Sequence, residues 1–426
     1  MKLHELKSFF ILWLTQSFSA LGSAMTNFAL VVWLYQSSGS ALTTAMLSIC
    51  SYAPYVLMSI FAGAISDKWN KKTVMLVSDS FAALCTVAVL ILLKTGSLEV
   101  WHLYVLNALN GLMNTVQQPA SDVAVTLLTP EKYYQKTSGM RSFSNSLVTI
   151  LTPVFAAAVM AFWGIDVVIA FDLITFTVAF LSLLLFIKIP AVEEKAAEES
   201  FFSTVKSGLV YLKDNQGILW LIFFLAAINL IASVYDAALP AMLLSHKNGG
   251  ETVLGAVNTC VGIATLAGSV LVTFMPAPKS RVRVICNTLL ISMSTENFLL
   301  AFGKSPIIWC IGAILGWICI PIMNANMDVI FRTRIPPEMQ GRVYSARNTM
   351  QFFTIPVGFF LGGLLVDNVF EPFMAAQSVD SIFVRIFGSE KGSGAAFLFF
   401  VIGIAGVLVC LIFRRNKHIR GLDTKD

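Results

Sequence analysis

Long apolar runs, separated by short clusters of charged residues, form the main pattern of this sequence. A helix needs roughly 20 mostly apolar residues to cross the hydrocarbon core of a bilayer. The strands of a membrane barrel would instead alternate apolar and polar residues over about 10 positions. The pattern therefore predicts an all-α polytopic membrane protein with twelve transmembrane helices, at residues 9–35, 41–65, 73–94, 102–128, 138–162, 167–187, 217–244, 253–275, 283–303, 306–331, 343–366 and 395–413.

The composition agrees with a membrane protein. Hydrophobic residues make up 57% of the chain and charged residues 12%, whereas soluble domains carry roughly 25% charged residues. A surface so poor in charge would not keep a soluble domain dispersed in water. The net charge of +5 arises from basic residues near the ends of the predicted helices, so it indicates membrane topology and not nucleic-acid binding.

The basic residues are distributed unevenly among the predicted loops. With both termini in the cytoplasm, 24 of the 29 Lys and Arg residues fall on the cytoplasmic side. Membrane proteins carry such an excess in their cytoplasmic loops, and one missed helix would invert every later loop. The sequence therefore predicts cytoplasmic termini. The five basic residues on the other side are Lys94, Lys247, Lys304, Arg385 and Lys391.

The longest polar stretch divides the predicted helices into two sets of six. We predict an N-terminal six-helix bundle at 1–190, a cytoplasmic linker at 191–215 and a C-terminal six-helix bundle at 216–426. Short motifs recur in the two halves at offsets of 203 to 207 residues, for example Trp13-Leu14 and Trp220-Leu221. These recurrences predict two pseudo-repeats, an arrangement that places substrate sites near the bilayer midplane.

Polar side chains recur at helical spacing in the first, fourth, seventh and tenth predicted helices. A polar side chain facing lipid is costly, so such a face marks either a water-lined cavity or a contact between helices. Both readings stay open for a single residue, but the five amides of the fourth helix favour a cavity for an amphiphilic ligand, with Met25 and Tyr235 adding apolar contact. The predicted substrate-binding residues are Gln16, Ser23, Asn27, Asn107, Asn110, Asn114, Gln117, Asn229, Asp236 and Asn324.

Three acidic residues are the candidates for proton coupling. Asp236 lies on a predicted cavity helix without a basic neighbour in the sequence. A carboxyl group in such a low-dielectric site suits reversible protonation, although a packing hydrogen bond to a neighbouring hydroxyl is the alternative. Asp122 and Asp328 are expected first to pair with Arg141 and Arg347, and only then to carry protons.

Three further acids receive no ligand or proton role at this stage. Asp79 is expected to stay ionised toward the cytoplasm, close to basic residues. Asp172 and Glu296 belong to the sixth and ninth predicted helices, which the family resemblance described below implies to be peripheral.

A motif follows the second predicted helix and reads Gly63-Ala64-Ile65-Ser66-Asp67-Lys68-Trp69-Asn70-Lys71-Lys72. It resembles the loop between the second and third helices of the major facilitator superfamily. The resemblance implies a gate in which Asp67 pairs near Arg342, and Asn70 replaces a glycine because Asn tolerates the left-handed conformation. The predicted gating residues are Gly63, Asp67, Lys68, Lys71, Lys72 and Arg342.

Other segments resemble the drug–proton antiporter branch that includes macrolide efflux proteins and siderophore exporters. These segments are Gln118-Pro119-Ala120, Phe171-Asp172 and 337–343. The resemblance implies a secondary exporter of amphiphilic small molecules, working by proton antiport in a bacterial-type inner or plasma membrane. A monomer is expected. A lysolipid or metabolite carrier of the same fold, or a non-transporting receptor on it, remains the alternative.

The sequence argues against other classes of protein. No P-loop is present, so direct use of ATP is not expected. The four histidines fall in predicted loops and tails and the seven cysteines lack paired spacing, which predicts neither an enzyme nor a metal site, and no cofactor. The outer segment 367–394 is predicted to form a short amphipathic helix on the membrane surface.

Overall fold

A computed structural model describes residues 6–68, 70–130, 133–190, 201–336, 343 and 347–423. Side chains 55, 59–68, 119, 134–136, 138–139, 142, 201–206, 273 and 332 fall outside that description. The described chain is helical, with α1 Lys7–Ser38, α2 Ala41–Lys68, α3 Lys71–Lys94, α4 Val100–Leu128, α5 Tyr134–Trp163, α6 Ile165–Phe186, α7 Phe201–Asp214, α8 Gln216–Ser245, α9 Glu251–Phe274, α10 Arg281–Phe302, α11 Pro306–Trp317, α12 Cys319–Arg334, α13 Thr354–Leu365, α14 Glu371–Ala375, α15 Ile382–Phe387, α16 Ser393–Arg415 and α17 Lys417–Arg420.

The helices agree with the predicted all-α polytopic fold. In the described part of the chain, eleven helical stretches are long and apolar enough to cross a bilayer. Helix α4 is not among them, although its 29 residues give it sufficient length; it is the helix that carries the row of amides. Large apolar side chains point outward, among them Phe162 (77% exposed), Phe186 (67%) and Phe274 (81%). Such an apolar exterior is what a lipid environment requires.

The chain divides into two compact units. Unit 1 contains residues 1–37 and 46–196, and unit 2 contains residues 38–45 and 197–426. In unit 1, α3 packs against α4 and α6, and α5 packs against α6. Leu12, Met75 and Leu183 form the centre of one buried cluster in that unit.

Unit 2 is built around α8, which packs against α13 and α16. Helix α10 packs against α16, α11 and α12, and α9 packs against α11 and α12. The approach of α13 to α8 is close because Gly362 has no side chain: an added Cβ would lie 2.8 Å from the Cβ of Ala237. Glycine at this position therefore fixes how near the two helices can come.

The predicted tenth transmembrane helix has a one-residue interruption in the structure. Helix α11 ends at Trp317 and α12 begins at Cys319. Pro321 supplies the physical cause, because proline lacks an N–H and its ring clashes with the carbonyl four residues earlier, which here belongs to Trp317. The predicted span at 306–331 is confirmed as one apolar helical stretch, and the interruption is confined to Ile318, whose N–H still donates to the Ile314 carbonyl at 3.1 Å.

Asp367 holds the short segment 38–45 in unit 2. Its carboxylate accepts hydrogen bonds from the Ser40 hydroxyl (2.6 Å) and from the backbone N–H groups of Ala41 and Leu42 (both 2.9 Å). The first N–H groups of a helix have no partner within the helix, and a carboxylate there also meets the positive end of the helix dipole. Asp367 thus caps the start of α2.

The segment 367–394, which was predicted to lie on the outer side, contains several short helical pieces and not one amphipathic helix. A π-helical turn, Val366–Phe370, leads into α14, and α15 follows it. The rings of Phe373, Phe383 and Phe387 pack on Phe397 of α16, with centroid distances of 5.1 to 5.7 Å. Aromatic packing onto α16 therefore holds this segment in place.

Candidate functional site

Unit 1 contains an open cavity of about 620 Å³. Small-molecule sites in proteins span about 300–1,000 Å³, so the cavity has the size of a ligand site. All six helices from α1 to α6 contribute to its wall. Seven of the predicted substrate-binding residues line it: Gln16, Ser23, Asn27, Asn107, Asn110, Asn114 and Gln117.

Asp79 of α3 lies at the centre of a hydrogen-bond network in this wall. Its carboxylate accepts from the Gln16 amide of α1 (3.3 Å) and from the Gln117 amide of α4. The side chain is only 8% exposed. The partners of Asp79 differ from the basic residues that were expected beside it, since both hydrogen-bond donors are neutral amides.

Asp172 of α6 also belongs to the cavity wall. Its Oδ1 accepts a hydrogen bond from the Ser23 hydroxyl at 2.9 Å, and the residue is 4% exposed. The expectation that α6 is peripheral does not hold at this residue. Gly22 allows the contact, because a Cβ there would meet the Asp172 backbone at 2.9 Å.

Arg141 of α5 supplies a positive charge to the same wall. Its guanidinium donates to Asp122, as the sequence predicted, and both side chains are partly exposed. Trp13 of α1 orients this part of α5, because its indole N–H reaches the Met140 carbonyl and the Ser144 hydroxyl, both at 3.1 Å. Asp122 is therefore an ion-paired carboxylate in this structure.

Apolar side chains complete the cavity. Phe9, Leu30, Tyr52 and Phe176 line it beside the amides. Met25, which was predicted to contact the ligand, is instead buried in the packing of α1 with its neighbours. The wall thus offers amide donors and acceptors, two buried acids and aromatic surface, which suits an amphiphilic ligand.

The predicted site residues of unit 2 lie on α8 and α12. Asp236 and Asn324 are exposed and Asn229 is half-buried. Ser233, one turn from Asn229, is buried and donates to the Asn229 carbonyl at 2.8 Å. Tyr235 is buried as well, so neither side chain shares the exposed face of Asp236.

The predicted pair of Asp328 and Arg347 is not among the ion pairs of the described residues. The Arg347 guanidinium donates to the Asn348 side chain at 3.0 Å and lies 5.0 Å from the centre of the Phe331 ring. Asp328 is exposed on α12. The local ring and amide contacts of Arg347 replace the predicted ion pair.

The motif around the second and third helices has a different local structure from the one predicted. Helix α2 runs through Lys68, so Gly63 and Asp67 stand within a helix; their side chains, that of Lys68 and the whole of Arg342 lie outside the described residues. The predicted gate between Asp67 and Arg342 therefore stays a prediction.

The last residues of this motif bind backbone groups at the ends of helices. Asn70 has φ −60° and ψ 121° and accepts from the backbone N–H groups of Lys72 and Thr73, which makes it the N-cap of α3. The left-handed conformation that was expected for Asn70 is therefore wrong, since its backbone is extended. The Lys72 ammonium donates to the carbonyls of Leu184 and Ile187 at the end of α6 (2.9 and 2.7 Å), and Lys71 is buried.

A model of the transmembrane secretion effector family matches residues 4–384. The chain belongs to this family. It is a major facilitator transporter of the drug-efflux branch, a multi-pass membrane protein and not an enzyme. Among the described residues, no group of three His, Cys, Asp or Glu side chains is placed to hold a metal ion.

Curated relatives of this transporter include efflux proteins. It is 22% identical over 366 residues to macrolide efflux protein A of Streptococcus pyogenes, covering 85% of this chain and 90% of the relative. It is 24% identical over 358 residues to the multidrug efflux pump Tap of Mycolicibacterium fortuitum, covering 81% and 86%.

Solved structures share the fold of this transporter. A bacterial homologue of the iron transporter ferroportin, in an inward-facing state, has a TM-score of 0.69 at 15% identity over 98% of this chain and 100% of that one. The nucleoside transporter NupG has a TM-score of 0.67 at 11% identity over 97% and 98%. At these identities the likeness shows the fold alone.

Sequence reasoning missed Asp79 and Asp172 as cavity residues. Asp79 lies eight residues into α3, which corresponds to a depth of roughly 12 Å at 1.5 Å per residue. At that depth Asp79 lies beyond the basic residues at the start of α3. Its position in the helix was therefore the signal in the sequence that could have identified Asp79 as a cavity residue. Nothing in the sequence marks the face of α6 that carries Asp172.

Proposed function

We propose that this transporter is a secondary active exporter of amphiphilic small molecules, driven by proton antiport with alternating access. The observation that carries the proposal is the cavity of unit 1, in which a row of amides faces aromatic side chains. Amides can hydrogen-bond varied polar groups, and the rings accept apolar ones. The names of the macrolide and multidrug efflux relatives support the same class of substrate.

Buried acids support the coupling to protons. Asp79 and Asp172 lie in the cavity wall with neutral donors around them. A buried carboxyl group without a cationic partner can bind and release a proton as its surroundings change. Asp236 is the exposed acid of α8 and, as on sequence grounds, our first candidate for the coupling residue, ahead of Asp122 and Asp328.

The proposed topology places both termini in the cytoplasm. The excess of Lys and Arg in alternate loops supports cytoplasmic termini. A reporter fused to either terminus should then be protected in right-side-out cells and accessible in inverted vesicles.

The decisive experiment measures transport by the purified protein in proteoliposomes. Macrolides, siderophores and lysolipids are tested with an imposed proton gradient, with an uncoupler, and with no gradient. We expect gradient-dependent movement of at least one amphiphile, abolished by the uncoupler. Substrate movement that does not depend on the proton gradient would contradict antiport and indicate facilitated diffusion. Movement of lysolipids alone would favour the lipid carrier. Binding without any flux would indicate a receptor.

Asp236→Asn tests the coupling residue in the same vesicles. We expect loss of gradient-driven accumulation with substrate binding retained, because Asn keeps the shape of Asp but cannot take up a proton. Asp380→Asn, at an exposed residue of the outer segment, is the matched control. If Asp236→Asn still accumulates substrate against its gradient, the same substitution at Asp79, Asp172, Asp122 and Asp328 identifies the replacement.

A further inference from the structure

Glu296 is a buried acid that the proposed function does not use. It stands in the middle of α10 and is 4% exposed. Its Oε1 accepts a hydrogen bond from the Trp317 indole N–H at 2.8 Å. Gly316 lets the carboxyl group lie directly against α11, because an added Cβ there would collide with Oε2.

A second polar group points into the same place. The Tyr235 hydroxyl of α8 is buried and lies close to the Glu296 carboxyl group. It has no partner with hydrogen-bond geometry in the described part of the chain. An unpaired buried hydroxyl is costly, at roughly 1–3 kcal/mol. A small rotation toward a carboxylic acid O–H or a carboxylate oxygen would satisfy it.

Among the described residues, Asp236 is the charged group that interacts with Glu296, and α12, which also packs on α10, has its first charged residue at Asp328. Asp236, next to Tyr235 on α8, is exposed and interacts electrostatically with Glu296. Neither α11 nor the apolar middle of α16 carries a charged residue, and Arg414 and Arg415 stand at the far end of α16. A buried carboxylate without a cation is unfavourable, whereas the neutral acid is tolerated.

The donor to Glu296 stands at the break in the predicted tenth transmembrane helix. Trp317 is the last residue of α11, four residues before Pro321. Gly268 of α9 packs on the break, with its Cβ position 3.2 Å from the Pro321 ring. A change in charge on Glu296 therefore acts on Trp317, the residue next to the interruption at Ile318.

We propose that Glu296 is a second proton-binding site of this transporter, protonated while it rests against Trp317 and Tyr235 and exchanging its proton with solvent past Asp236. A proton from hydronium bonds to a carboxylate oxygen and leaves water, and the reverse step releases it. On ionisation, the Trp317 hydrogen bond strengthens and pulls on the helix break.

The chemistry of the site favours a proton over a metal ion. An indole N–H points at one carboxylate oxygen and a hydroxyl lies beside the group, so donors occupy positions where a cation needs oxygen ligands. A proton needs one carboxylate oxygen alone.

The test is an infrared titration of the full-length protein in nanodiscs, from about pH 5 to pH 9. Difference spectra should contain a protonated-carboxyl band that disappears on raising the pH and is absent in Glu296→Gln. Trp317→Phe, which loses the N–H donor, should keep the band and shift its frequency. Asp236→Asn should keep it and narrow its titration, because interacting acids titrate as a pair.

Glycine variants separate a positioning effect from general damage to packing. Gly316→Ala displaces the Glu296 carboxyl group and should shift the band. Gly312→Ala, one turn earlier on α11, contacts Leu299 at 3.0 Å and the Glu296 carbonyl at 3.5 Å, and should leave the band in place. Monodisperse elution of each variant confirms that it is folded.

An unchanged carboxyl band in folded Glu296→Gln overturns the proposal. The inference rests on the proposed proton coupling for its role in transport, but the infrared result stands apart from it. A titrating Glu296 in a protein whose transport ignores the proton gradient contradicts antiport and leaves the site intact. Gradient-driven transport by a protein without a Glu296 band supports antiport and contradicts the proton site at Glu296.

Discussion

At the scale of single residues, the acids of this transporter differ in the groups that contact their carboxylates. Asp122 has the Arg141 guanidinium. Asp79 and Asp172 have amide and hydroxyl donors, and Glu296 has an indole N–H. Ion pairing holds a carboxylate in its charged form, whereas a buried carboxyl group with only neutral donors can change its protonation state more readily. The buried acids with neutral donors are therefore the residues suited to carry protons.

The amide at Gln117 should stabilise the cavity wall through Asp79. Gln117→Leu removes a donor to a buried carboxylate, and hydrogen bonds to charged groups contribute about 1.5–3 kcal/mol. We expect thermal unfolding of the detergent-solubilised protein at lower temperature, together with weaker substrate binding. Gln118→Leu is the control, since the exposed Gln118 also lines the cavity without contacting Asp79; an equal loss in both variants would contradict the assignment.

At the scale of helices, polar side chains secure the ends of elements whose interiors are apolar. Asn70 caps the start of α3, Lys72 reaches the end of α6, and Asp367 caps the start of α2. Backbone groups at helix ends have no partner within the helix, and these side chains supply one.

Substitutions at Asn70 distinguish an N-cap from a left-handed residue. Asn70→Ala should destabilise the protein by about 1 kcal/mol, Asn70→Ser should retain stability, and Asn70→Gly should lose only a few tenths. Thermal unfolding of the four proteins provides the comparison. Glycine as the most stabilising residue would instead support the left-handed conformation.

Asp367 should matter more than other acids of the outer segment. Asp367→Ala removes three hydrogen bonds from the start of α2 and should cost about 1–2 kcal/mol, the upper range for a helix cap. Asp380→Ala, at an exposed acid in the same segment, should change stability by less than about 0.5 kcal/mol. Unfolding monitored by tryptophan fluorescence compares the two, and similar losses would argue against the cap.

At the scale of the whole molecule, each unit combines an apolar exterior with polar groups inside. Unit 1 holds the amide-lined cavity, and unit 2 holds the cluster of Tyr235, Glu296 and Trp317. A polar group in a membrane protein must be paired or must face water. Asp79 in the cavity wall and Glu296 in the cluster each accept hydrogen bonds from neighbouring helices.

Cysteine labelling should reveal water in the cavity of unit 1. Cysteines placed at Asn110 and Asn114, with the partly exposed native Cys50, Cys260 and Cys310 changed to Ser, should react with a charged thiol reagent and be protected by substrate. Leu109→Cys, on an exposed position outside the cavity wall, is expected to face lipid and resist labelling. If the cysteines do not react in a protein that still transports, the amides form packing contacts between helices and do not line a water-filled cavity.

The predicted helices match the described ones to within a few residues at most ends. Asn110 and its neighbours line a cavity as their spacing on α4 indicated. The sequence identified Arg141 as the partner of Asp122, but it did not identify the partners of every polar side chain on other helices. Asp79 meets Gln16 and Gln117, and Arg347 contacts Phe331 in place of Asp328.

The sequence by itself determined which segments are helices, that their surfaces are apolar, and which helix face carries amides. These properties follow from hydropathy and helical periodicity, which are local along the chain. Only the tertiary structure decided which acids are buried and with what partners. Asp172 accepts a hydrogen bond from Ser23, and Glu296 accepts one from Trp317. Each donor lies on another helix, and helix packing brings it to the acid. Burial and hydrogen bonding depend on those neighbours in space, and no local pattern specifies them.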